Sequence, residues 1–141
     1  MSMMRNQQEI HEAINAADDA LIALRNAENS LSSAGGWGIW DIMGGGFLST
    51  LFKHDKLDQA QRELEKARKA LQRFRNELAD LGRTIDFNLD VGGFLRFTDY
   101  FFDDIFSDLM VQSKIRQGKQ QVQQAIRQIE GVRQQLWNMV R

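Results

Sequence analysis

Between residues 57 and 81, apolar side chains recur at alternating spacings of three and four: Leu57, Ala60, Leu64, Ala67, Leu71, Phe74, Leu78 and Leu81. A half-buried strand would alternate every second residue, so this is the a/d seam of a heptad repeat. A seam this long belongs to a helix that must lay one narrow stripe on a partner helix. Arg62, Glu63, Glu65, Lys66, Arg68 and Lys69 fill the positions between and read as a solvated face. Gly82 supplies a stop. With Phe47 as its start, a helix is predicted over 47–81. Proline, the strongest helix breaker, is absent from all 141 residues.

A second stripe precedes it. Ile10, Ile14, Ala17, Leu21, Leu24 and Leu31 are helically spaced, interrupted at Glu28, with Ala13, Ala16, Ala20, Ala23 and Ala27 beside them. This predicts a helix over about 3–33 whose small residues let another backbone come close. Ser32, Ser33, Gly35 and Gly36 mark its exit. Residues 34–46 then read as a glycine- and tryptophan-rich connection joining two antiparallel helices. A third helix is predicted over about 94–141, carrying Phe101, Ile105, Leu109, Ile115, Val122, Ile126, Ile129, Leu136 and Val140. Gln112, Lys119 and Arg133 break its seam. Polar seam residues cost stability but can set register.

Residues 84–91, TIDFNLDV, alternate apolar and polar, a strand-like period. A lone strand is not stable, so the segment reads as a strand awaiting a partner or as an extended connection over 82–93 with one face buried. It is long enough to carry the chain part of the way back along the bundle. Every phenylalanine except Phe74 falls in or beside the two connections. The expectation is therefore one all-α domain, residues 1–141. It would be an elongated antiparallel three-helix bundle with coiled-coil-like seams, closed at one end by an aromatic, glycine-rich cap.

Composition removes several function classes. The chain has no cysteine, which excludes disulfides, thiolate chemistry and cysteine-ligated zinc. Its net charge of -1 gives no bulk attraction to nucleic acid or membrane. Acidic and basic blocks alternate along the chain, as neighbouring helices that complement one another require. No aromatic residues interleave the basic faces, so a nucleic-acid partner is not expected. The N-terminus has no secretory leader pattern and no apolar run spans a bilayer. A cytoplasmic location is expected, with leaderless secretion left open.

The stretch GGWGIWDIMGGGFLSTLFKH, 35–54, invites three readings. A phosphate loop fails because Gly46 is followed by Phe47 and Leu48 rather than Lys-Ser or Lys-Thr. A membrane insert is opposed by Asp41 and by glycines that would leave backbone groups unsatisfied in lipid. A local core that caps the bundle fits best, with peripheral membrane attachment through 37–52 as an alternative. Polar residues near the aromatics form a candidate cluster: Asp41, Lys53, His54, Asp58, Asp99 and Asp103. His54 and Asp58 share a helix face, as do Asp99 and Asp103. His54, Asp58 and Asp103 would be the ligands of a metal, yet the Glu-x-x-His repeat of bundle metal sites is missing. Ion pairs between segments explain the same residues without chemistry, so neither a catalytic residue nor a cofactor is expected.

The spacing W-D-x-x-G-G-G-x-x-x-T-x-x-K-H-x-x-x-D-x-A, Trp40 to Ala60, resembles an uncharacterised family of bacterial all-helical proteins. FTDYFFDDIFSDLMVQSKI, Phe97 to Ile115, is similar to a second block of it. That resemblance implies no activity. It adds Thr50 and Gln112 to the polar residues of interest. The function expected is non-enzymatic interaction or scaffolding through coiled-coil-like association, either as a dimer or with a helical protein partner. A ligand-binding, metal-binding or catalytic site at the aromatic end, using His54, Asp58, Asp99 and Asp103, is the alternative.

Overall fold

The computed structural model describes the backbone of residues 2–42, 47–81, 89–103 and 111–140, and the side chains of 7–32, 58–81, 89–99 and 114–140. The protein is all-helical. Four helices among the described residues pack together: α1 (Ser2–Ile42), α2 (Phe47–Asp80), α3 (Gly92–Asp103) and α4 (Val111–Met139).

The heptad seam of α2 is buried where expected. Ala60, Leu64, Ala67, Leu71 and Phe74 are fully buried, and Leu78 and Leu81 pack against the core's edge. Leu57 has its side chain outside the described residues. On α1 the predicted stripe of Ile10, Ile14, Ala17, Leu21, Leu24 and Leu31 is buried, with Ala13, Ala16, Ala20 and Ala27 beside it. Each fully buried leucine contributes roughly 1.5–3 kcal/mol relative to exposure. α1 and α2 are antiparallel, tied by Arg73 Nη1 donating to Asp19 Oδ2 at 3.0 Å.

α1 runs further than its spacing predicts. The connection expected over 34–46 is helical as far as Ile42, passing through Gly35, Gly36 and Gly38. Each interior glycine costs a helix only about 1 kcal/mol, so without a proline nothing forbids continuation. The side chains of the expected aromatic cap, Trp37 to Phe52, lie outside the described residues.

The third predicted helix, 94–141, is two helices. A Cβ on Gly118 of α4 would lie 2.6 Å from Phe97 Cζ on α3. In one continuous helix those residues would be about 30 Å apart. Gly93 faces Gln121 in the same way, so α3 and α4 run antiparallel. The described residues therefore form four helices where three were expected. α1 packs against both α2 and α4, and α3 against α4 and α2. α4 is antiparallel to α1, with Arg133 opposite Asp18 and Glu130 opposite Arg25.

Residues Leu89 to Val91 are non-helical, and no strand occurs among the described residues. The alternation still holds there: Val91 is buried, Leu89 packs on the core and Asp90 is exposed. The Leu95 amide donates to Val91 O, and the Gly92 amide to Asp90 Oδ1, which caps α3. The Asp90 amide donates to Gln128 Oε1 on α4, anchoring the entry to α3 halfway along its neighbour.

Candidate interaction surface

Of the six polar residues picked out in the sequence, Asp58 and Asp99 have side chains among the described residues. Asp99 is exposed and its carboxylate lies 3.1 Å from the Arg68 guanidinium, bridging α3 to α2. Asp58 is exposed on α2 beside Gln61, Arg62 and Glu65. Asp41 is on the last turn of α1, Lys53 and His54 are on α2 and Asp103 ends α3. The side chains of these four, like those of Thr50 and Gln112, lie outside the described residues. Among the described residues no three His, Asp or Glu side chains come together to hold a metal ion. Nor does any buried side-chain polar atom there lack a hydrogen-bond partner.

The Asp99–Arg68 pair explains Asp99 structurally. Half-exposed ion pairs contribute about 0.2–1 kcal/mol. A double-mutant cycle of Asp99→Asn and Arg68→Gln, read by urea unfolding, is expected to give a coupling below about 1 kcal/mol. A much larger coupling would show that the pair is not a surface contact.

A different surface stands out along the seam of α1 and α4. Asp18, Leu21, Ile22 and Arg25 of α1 and Glu130 and Arg133 of α4 line an open groove of about 600 Å³. Arg133 Nε donates to Asp18 Oδ1 at 2.6 Å, and Arg25 lies 3.8 Å from Glu130. Arg133 flanks the buried seam of α4, which runs through Ile129, Val132 and Leu136, and its pair with Asp18 ties that flank to α1. One turn on, the Arg133 guanidinium sits 5.8 Å from the Trp137 ring, a cation–π geometry. His11 meets Trp137 edge-on, with ring centroids 6.1 Å apart. Trp137 remains 41% exposed and Ile22 58% exposed, the two large apolar side chains left uncovered among the described residues.

This surface was only partly legible in the sequence. Arg133 was visible as a seam break, but its partner Asp18 is far away in the chain. Ile22 lies next to the stripe residue Leu21 but outside the stripe itself. Lys114 was missed altogether. It is 2% exposed, and among the described residues no other ionisable side chain is buried. It continues the α3-facing stripe of α4, one turn before Gly118. That stripe is built from Gly118, Gln121, Ala125 and Gln128, residues too small or too polar to announce a buried face.

Compared with family models, curated proteins and solved structures, the chain matches none. The resemblance of the Trp40 to Ala60 block therefore brings no activity to the surface just described. Among the described residues no helix is long and apolar enough to cross a membrane.

Proposed function

We propose that this protein is a non-enzymatic interaction protein that works by presenting helix faces, associating with a copy of itself or with a helical protein partner. The observation that carries the reading is the α1–α4 surface. There an exposed tryptophan, an exposed isoleucine and two arginines sit together on rigid helices. Interfaces are enriched in tryptophan and arginine, and their binding energy concentrates on such anchors. Isolated exposed apolar side chains are ordinary; here they flank a groove whose polar groups are fixed by ion pairs. The charge pairs would contribute orientation more than affinity. A cytoplasmic setting belongs to the same reading and rests on the sequence argument alone.

The test is mass against concentration. Light scattering or sedimentation from micromolar to about 1 mM is expected to show the average mass rising above that of one chain, since even weak interfaces associate at that concentration. A single-chain mass throughout would remove self-association. The remaining form of the reading would then be a different helical protein binding this face, with Trp137→Ala weakening its capture.

A further inference from the structure

The charges around the α1–α4 groove have an internal symmetry. Along α1, Asp18 and Arg25 sit on either side of Ile22, about one turn away on each side. Along α4, Arg133 and Glu130 lie opposite them, each paired across the groove with the charge of opposite sign. The four groups thus form a four-cornered set, longer along α1 than along α4, whose two ends carry reversed polarity. A two-fold rotation perpendicular to the helices, centred at the level of Ile22, exchanges those ends. It sets Asp18 of one copy against Arg25 of another and Arg133 against Glu130, so that every contact is between opposite charges. Such self-matching under one rotation is what a two-fold interface requires.

We infer that the α1–α4 face is a homodimer interface in which two copies meet antiparallel with Ile22 packed on Ile22 at the two-fold axis. This inference rests on the proposed association and names its surface and partner. Charge complementarity decides that the occupant is a second copy. Ile22 decides the direction. Among the described residues it is the most exposed large apolar side chain, and the antiparallel arrangement puts it against its own counterpart. A two-fold axis parallel to the helices also matches the charges, but it sets Ile22 against the charged residues of α4 and leaves it no apolar partner. α1 and α4 are long and continuous here, so the surface is rigid and loses little entropy on binding.

Two swapped variants test the register without breaking either intramolecular pair. The first carries Asp18→Arg with Arg133→Asp; the second carries Arg25→Glu with Glu130→Arg. Within each variant the pair across the groove stays oppositely charged, so the monomer keeps its packing, checked by circular dichroism and thermal melting. Across the proposed axis each variant meets like charges. Sedimentation equilibrium is expected to show each variant alone dissociating at least tenfold more readily than the unaltered protein. An equimolar mixture of the two is expected to recover a dimer, because the complementary charges are restored between them. Ile22→Cys provides an independent reading, since the chain has no other cysteine. On mild oxidation it is expected to give a covalent dimer, as the two Cα atoms would be within disulfide reach at the axis.

The outcomes separate the two levels of the argument. If the unaltered protein dimerises but both swapped variants do so equally well and Ile22→Cys stays uncrosslinked, the antiparallel interface is wrong and self-association stands. If only the crosslink fails and the variants dissociate, the antiparallel charge pairing stands and the Ile22–Ile22 contact at the axis is overturned. If the unaltered protein is a single chain at every concentration, both this interface and self-association fall.

Discussion

Phe74→Ala is expected to destabilise the protein by about 3–5 kcal/mol, the usual cost of removing a fully buried aromatic ring. Phe74 heads the large side chains that are fully buried, and it completes the seam between α1 and α2. Domains of this kind are held by only about 5–15 kcal/mol in total, so one such change removes a large share. In urea unfolding the midpoint should fall sharply while the slope stays the same, because the area exposed on unfolding hardly alters. Leu78→Ala, one turn later on the same seam but only partly buried, should cost much less. A loss below about 1 kcal/mol at Phe74 would mean that no helix is packed over it.

The second large effect concerns two glycines of α4 that substitution should move in opposite directions. Helix propensity alone favours alanine over glycine by about 1 kcal/mol at either position. At Gly131 nothing lies within 4 Å of an added Cβ, and the residue is exposed. Gly131→Ala should therefore stabilise by up to about 1 kcal/mol. At Gly118 the added Cβ would stand 2.6 Å from Phe97 Cζ, 3.0 Å from Phe97 Cε1 and 3.2 Å from Leu31 Cδ1. The Phe97 ring is buried and rigid, so it must shift or the helices must part. Overpacking of this sort costs about 1–3 kcal/mol or more, which outweighs the propensity gain. Gly118→Ala is thus expected to be net destabilising, and Gly118→Val more so. Combining Gly118→Ala with Phe97→Leu should recover part of the loss, since the two residues share one space. If both glycine-to-alanine changes raised the melting temperature alike, α3 could not be seated on Gly118.

Gly118 also shows where sequence reasoning stops. Read along the chain, it is a weak point in a helix. In the folded protein it is the notch that admits Phe97. The same difference separates the parts of the fold that were legible from those that were not. The seam from Ala60 to Phe74 and the stripe from Ile10 to Leu31 could be read because burial of one helix face repeats with the helix's own period. That signal is local and needs no knowledge of the partner. The end of α1 was placed too early because glycine only weakens a helix, by an amount the rest of the structure can offset. The third helix was placed too long because α3 and α4 are both helical, and periodicity carries no mark of a reversal in direction.

The candidate site followed the same rule. Asp99 reads from the sequence as a member of an ion pair between segments, but nothing local could choose Arg68 as its partner. Asp18, Arg25, Glu130 and Arg133 come together because α1 and α4 lie side by side, and no spacing in the sequence links them. By itself, the sequence determined that this chain is helical and which stripes α1 and α2 bury, because those properties come from apolar side chains at fixed intervals along one backbone. Which helix covers which stripe, where the chain turns back, and which charges meet across the α1–α4 groove were decided only in the tertiary structure, because those are contacts through space between residues the chain keeps far apart.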